Sequence, residues 1–217
     1  MTQNDQLQQA VLAELHWEPS VTAAHIGVTA DGGVVSLTGH VDSFAEKLAA
    51  EAAAQRVKGV KAVVEEIEVR LPFDGTRTDE DIAAAIIERL AWDVSVPSDA
   101  VKVKVEGGWV TLSGEVKWHF QRTAAAEDAH RLSGVRGVSN QITIQPVVDA
   151  SVLSDEITHA LQRSWCVDPL TVTVRAEGGT VRLGGFVRTP HERQVAATTA
   201  WSASGVTDVI NDIEIAA

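Results

Sequence analysis

The apolar positions of this chain change their period in a fixed order, and they do so three times. Helical spacing comes first: Leu7, Val11 and Leu15, then Ile82, Ile86 and Leu90, then Ile157, Leu161 and Trp165, each an i, i+4, i+8 stripe. Strand spacing follows. In the second copy Val101, Val103 and Val105 alternate with Lys102 and Lys104; after a glycine pair, Val110 and Leu112 alternate with Trp109, Thr111 and Ser113. This predicts a hairpin with one apolar face. A second helix is expected next, with small residues at Ala50/Ala54, Ala125/Ala129 and Ala196/Ala200 that let it lie close to a sheet. The copies end in "VVEEIEV", "VSNQITI" and "VINDIEI", each read as a last strand. The predicted order is α-β-β-α-β three times, an α+β fold class of three tandem small domains.

Glycines punctuate the copies at matching places. The pairs Gly32-Gly33, Gly107-Gly108 and Gly178-Gly179 predict tight hairpin turns, where positive φ is needed. Gly39, Gly114 and Gly185 fall inside a predicted strand, which marks either a bulge or the close approach of another backbone. Gly59, Gly134 and Gly205, each followed by valine, suit the left-handed position that ends a helix. Thr78 before Asp79, Glu80 and Asp81, and Ser154 before Asp155 and Glu156, supply the capping side chain and first-turn acids of a helix start. The spacing of 75 and then 71 residues exceeds a solenoid repeat of ~20–50, so each copy is read as its own domain: 1–71, 72–146 and 147–217. The structured parts are expected near 4–71, 78–146 and 153–217. Residues 72–77 ("PFDGTR") and 147–152 are then linkers, short enough to keep the domains in touch.

A helix, then "GGxVxLxGxV", an Ala-rich helix with a basic residue inside it, then "GVxxVxNxI", resembles the BON domain of bacterial osmotic-stress and nodulation proteins, over essentially the whole chain. Lys47, Arg122 and Arg193 match the basic position, and Asn140 and Asn211 match the final-strand asparagine, which Glu65 replaces in the first copy. The resemblance implies two helices on one face of a three-stranded mixed sheet. It also implies a non-enzymatic binding module, with phospholipid-surface, chaperone-like and potassium-sensing roles among different members.

Composition narrows the functional classes. With 45% hydrophobic and 22% charged residues the chain can bury a core, and its longest apolar runs are far short of the ~20 residues of a membrane span. The N-terminus lacks a basic segment followed by an apolar one, and the single cysteine, Cys166, permits no intrachain disulfide; both suit a cytoplasmic protein. Net charge is −12, with 10 acids and 5 bases in residues 1–71, 11 and 8 in 72–146, and 9 and 5 in 147–217. No third of the chain is basic, which disfavours nucleic acid. The seven histidines show no metal-ligand spacing, and the glycine pairs lead into strands rather than helices, so they form no phosphate-loop or dinucleotide fingerprint. No enzyme, cofactor or metal is therefore expected, and His40 and His119 are read as surface residues.

The aromatic set carries the remaining signal: six tryptophans and no tyrosine. Trp165 continues the stripe of Leu15 and Leu90 and reads as core. Trp17 and Trp92 end the first helix in their copies and either close the core or face a neighbouring domain, with packing the favoured role. Trp201 stands on the outer side of its helix. Trp118, beside Phe120 at a helix start, reads either as a hydrophobic staple or as a contact residue. Trp109 is expected on the sheet face the helices leave open, together with Lys102 and Lys104. The candidate partner-binding residues are therefore Lys102, Lys104, Trp109 and Trp118. The expected partner is a protein or a second copy of the chain, with a membrane phospholipid surface ranked lower because of the acidic charge.

Overall fold

The computed structural model describes residues 2–71, 77–145, 150–164, 168 and 170–216. The first copy runs α1 (Gln3–Trp17), β1 (Ile26–Asp31), β2 (Val34–Val41), α2 (Phe44–Arg56) and β3 (Ala62–Val69). The second runs α3 (Asp79–Trp92), β4 (Val101–Glu106), β5 (Trp109–Val116), α4 (His119–His130) and β6 (Gly137–Ile144). The third runs α5 (Ala150–Gln162), β7 (Val172–Glu177), β8 (Thr180–Val187), α6 (Pro190–Trp201), β9 (Asp208–Asn211) and β10 (Glu214–Ile215). Its last strand is the one that is split, into β9 and β10. Asn211 folds back there to accept the Ile213 N–H at 3.2 Å, while the Asp212 N–H still reaches the Leu183 carbonyl at 2.8 Å.

Each sheet has its second strand in the centre, and in the first sheet β2 is antiparallel to β1 and parallel to β3. This is the mixed three-stranded layer expected from the sequence. The stripes face inward as predicted: Val11 and Leu15 of α1 and Ile86 of α3 have no solvent-accessible surface, and Ile157 and Leu161 of α5 have almost none. Ala50, Ala54, Ala125, Ala129, Ala196 and Ala200 are all fully buried, so the second helix of each copy lies against the sheet through its methyl groups. Burying one leucine such as Leu112 is worth about 1.5–3 kcal/mol, so these small cores rest on a few side chains each.

The strand glycines mark close approach, not a bulge. The β1–β2 ladder runs one-to-one through Ile26↔Gly39, and the β7–β8 ladder through Val172↔Gly185. A Cβ on Gly39, Gly114 or Gly185 would overlap the backbone carbonyl oxygen of His25, Ala100 or Thr171 on the neighbouring segment. Gly59, Gly134 and Gly205 do have positive φ, but they stand in the turn after the helix rather than at its end. α2, for instance, stops at Arg56, with the Val57 N–H bonded to the Ala54 carbonyl and the Val60 N–H to the Val57 carbonyl.

The helix starts follow the expected chemistry except in the third copy. Thr78 and Asp81 form a reciprocal cap at α3, each donating its backbone N–H to the other's side chain at 3.1 Å. Ser154 does not cap α5, because that helix already begins at Ala150, inside the predicted linker. Ser154 lies in the second turn, and its hydroxyl accepts the Ala176 N–H of β7 at 3.0 Å. Residues 72–76 and 147–149 of the linkers, and both Trp165 and Cys166, lie outside the described residues.

The chain divides into two compact units: residues 1–87, 104–110 and 128–139 form one, residues 88–103, 111–127 and 140–217 the other. In the first unit Phe44, at the start of α2, meets His130, at the end of α4, edge to face at 5.3 Å.

Candidate functional site

Two of the three family-marking basic residues, Lys47 and Arg193, use their side chains to join helix and strand, and Arg122 contributes its backbone carbonyl. Lys47 on α2 pairs with Glu65 on β3 at 2.8 Å and donates to the Ile67 carbonyl at 2.8 Å. Asn140 donates to the Arg122 carbonyl at 3.0 Å, Arg193 donates to the Asn211 carbonyl at 2.9 Å, and each asparagine also accepts the N–H two residues further on. The position therefore stitches the second helix to the last strand, and Glu65 replaces asparagine only where a lysine faces it.

On the second sheet, Lys102, Lys104 and Trp109 all occupy the exposed alternate positions of their strands. Trp109 is 60% exposed, so most of the ring faces solvent. Its inner edge covers Gly137, the first residue of β6, where any added Cβ would run into the indole. The ring thus replaces the side chain that Gly137 lacks, an aromatic cover over a strand glycine. Lys104 is tied to Glu106 at 2.9 Å in a solvent-exposed pair worth little to stability. In the third copy the same face carries Arg175 directly opposite Arg182, with Arg182 paired to Asp212.

Trp118 is the residue whose placement departs most from its counterparts. It stands immediately before α4, and its carbonyl accepts the Gln121 and Arg122 N–H groups at 3.1 and 3.4 Å, so it is the N-cap residue. The equivalent residues are Ser43 and Thr189, whose hydroxyls accept the N–H of Glu46 and Glu192 at 3.1 and 3.2 Å. Tryptophan offers no acceptor there. Only the reverse half of the cap survives, with Gln121 accepting the Lys117 and Trp118 N–H groups at 3.1 Å. The helix start has given up a hydroxyl cap, worth about 0.5–2 kcal/mol, for a large ring.

That ring belongs to an aromatic group within the second compact unit. Trp118 and Phe120 lie 6.4 Å apart between centroids, and His119 lies against Trp201 of α6 at 4.0 Å. Trp118, Phe120, Trp201 and Thr198 line an open groove of about 300 Å³. Phe120 is more than half exposed, while Trp118 and Trp201 are half-buried. Trp201 is not simply on the outer side of its helix, because it also packs against the core of the third copy, and His119 is not a free surface residue. Burial against Trp201, reinforced by the Arg122 charge, holds its imidazole below the ordinary histidine range.

Trp17 and Trp92 overturn the packing expected of them: they are 83% and 80% exposed at the ends of α1 and α3. The stripe has closed by Leu15 and Leu90, and two further residues turn the side chain about 200° around the helix, onto its far face. Position arithmetic along the helix would have found this. His40 is half-buried and stacks on His25 at 4.6 Å. Among the described residues no three His, Cys, Asp or Glu side chains gather in a way that could hold a metal ion, and no helix is long and apolar enough to cross a membrane.

The match to a known family agrees with three tandem α-β domains. The model of the BON domain matches residues 3–70, 78–146 and 149–217. Osmotically-inducible protein Y of Escherichia coli (strain K12) is 33% identical over 136 residues, which is 61% of this chain and 68% of that protein. Among solved structures, CdsD, a structural protein of the type III secretion system of Chlamydia trachomatis, aligns over 97% of this chain and 92% of its own, at 16% identity and a TM-score of 0.27. The C-terminal domain of the same protein aligns at 16% identity over both full chains, with a TM-score of 0.28.

Proposed function

The chain belongs to the BON domain family, and on that premise we propose that it is a stress-associated, non-enzymatic binding module whose second repeat engages a partner protein. The observation that carries the reading is Trp118. A helix start that forgoes its capping hydroxyl for an indole gives up stability, and recognition is the ordinary return on such an exchange. Phe120 and Trp201 beside it, and exposed Trp109 on the sheet, are the residue types that anchor protein interfaces. Lys102 and Lys104 add orientation and salt dependence more than affinity. The stress association rests on the likeness to an osmotically inducible protein.

Charge favours a protein over a lipid surface. Anionic lipid attracts basic residues at ~1 kcal/mol each, whereas acids outnumber bases in every third of this chain. The test offers both surfaces to the wild-type chain and to a Trp109→Ala, Trp118→Ser variant. One arm is extract from osmotically stressed cells, and the other is vesicles of phosphatidylcholine with and without phosphatidylglycerol. The reading expects a discrete protein species retained by the wild type and lost by the variant, with no gain from anionic lipid. Co-sedimentation with phosphatidylglycerol vesicles, unchanged in the variant, would overturn it.

A further inference from the structure

The three hairpin turns have the same glycine pair but not the same occupant. In the second repeat both turn glycines have positive φ, 58° and 81°, and their N–H groups converge on one carboxylate. Gly107 donates to Asp79 Oδ2 at 2.7 Å and Gly108 to Oδ1 at 2.9 Å. Successive backbone N–H groups in such a turn make an anion-binding concavity, and here the anion is supplied by the chain itself.

The first repeat builds the same concavity without an anion. Gly32 and Gly33 have matching φ values of 57° and 95°. The residue in the place of Asp79 is Asn4, a neutral amide. It accepts only the Gly32 N–H, at 3.2 Å, and turns its Nδ2 to Asp31 at 2.9 Å. Gly33 is buried, and among the described residues its N–H has no partner. Beside the turn is a groove of about 590 Å³ that includes Asn4, Leu7, Gly33, Lys58 and Lys61. The aliphatic stem of Lys61 lies across Gly33, since a Cβ there would come within 2.9 Å of it. Neither lysine has an acidic partner among the described residues. The nearby acids are engaged: Asp31 by Asn4, and Asp5 by the Thr2 N–H at 2.8 Å. The third repeat has Ser204 and Thr207 at the places of Lys58 and Lys61, and the second has Ser133 and Arg136, so the first alone sets two lysines beside the turn, where among the described residues the Gly33 amide has no acceptor and the Gly32 amide only a neutral one.

We infer that this turn is a binding site for an external carboxylate, which takes the free Gly33 amide, displaces the neutral Asn4 oxygen from the Gly32 amide, and so accepts from both amides as Asp79 does in the second repeat, with Lys58 and Lys61 beside it. Charge-assisted bonds from backbone N–H and ammonium groups are about twice as strong as neutral ones, which suits a small anionic group on a chain that is acidic elsewhere. A free chain terminus or an acidic side chain presents this chemistry.

The full ¹⁵N-labelled chain is titrated with sodium acetate and, at equal ionic strength, sodium chloride, reading the glycine amides. Acetate is expected to shift Gly32 and Gly33 saturably while Gly107 and Gly108, already occupied, stay still. Asn4→Asp places a tethered carboxylate where Asp79 sits, so this variant should remain folded and lose the saturable shift. Lys58→Gln with Lys61→Gln should weaken it. An acetate response equal to that of chloride, or one preserved in Asn4→Asp, overturns the site. Saturation by inorganic phosphate but not by acetate overturns its assignment to carboxylates.

Discussion

Gly114→Ala is the smallest change that should cripple the second repeat. The new methyl would overlap the carbonyl oxygen of Ala100 and stand 3.1 Å from its carbon, and both are backbone atoms that cannot rotate away. Gly114 also has φ of 139°, a conformation L-residues rarely adopt. Backbone strain of that kind costs of order 1–3 kcal/mol, and overpacking adds typically 1–3 more, giving about 2–6 kcal/mol in all. For a unit of this size each kilocalorie lowers the thermal midpoint by about 4–8 °C, so the shift should be at least ~8 °C. Gly107→Ala is the control. Its φ of 58° carries the left-handed penalty of roughly 1–2 kcal/mol, but no atom lies within 4 Å of the added methyl. Thermal unfolding followed by tryptophan fluorescence, with amide exchange to locate the change in the second repeat, compares the two. Equal midpoints for the two variants would refute the close-approach account of the strand glycine.

Lys47→Met should destabilise the first repeat by about 1–3 kcal/mol, because it strands the Glu65 carboxylate and frees the Ile67 carbonyl. Glu65→Asn added to it should recover part of the loss by removing the stranded charge, and urea titration of the single and double variants decides this. His119 gives a pH dependence of known sign. Its folded-state value lies below the ordinary one, so its contribution is complete above about pH 6.5 and is lost as pH falls through the folded value. The thermal midpoint of the wild type should therefore drop more than that of His119→Gln between pH 7.5 and 5, and parallel curves would contradict it. Leu112→Ala, at a fully buried site, should cost about 2–5 kcal/mol by denaturant unfolding, against less than 1 for truncating exposed Trp17.

Much of the fold was legible because three imperfect copies check one another. The switch from 3.6 to 2 in apolar period, the small residues at Ala50, Ala125 and Ala196, and the hairpin glycines all recur where the structure uses them. What failed was whatever depends on geometry beyond one element. The sequence offered a bulge or a close approach at Gly114, and the choice required the Ala100 carbonyl across the hairpin. Ser154 has the composition of a cap but lies within a helix that starts four residues earlier, since its hydroxyl finds a better donor on β7. The cover of Trp109 over Gly137 joins residues 28 apart and leaves no local trace. Trp118 was legible as a candidate but not as a missing cap. That signal lay in the alignment of Ser43, Trp118 and Thr189, which the copies themselves provide.

The exchange of a cap for recognition at Trp118 is tested most directly by Trp118→Ser, measured for stability and partner binding in the same preparation. Serine restores the acceptor found in the other repeats, worth about 0.5–2 kcal/mol, and so offsets the lost ring contacts with Phe120. Unfolding free energy is predicted to stay within about 1 kcal/mol of the wild type, while binding falls by about 2 kcal/mol or more, as for an interface anchor. A loss of about 3 kcal/mol or more of stability with partner binding intact would mean that Trp118 is packing, and would contradict the account.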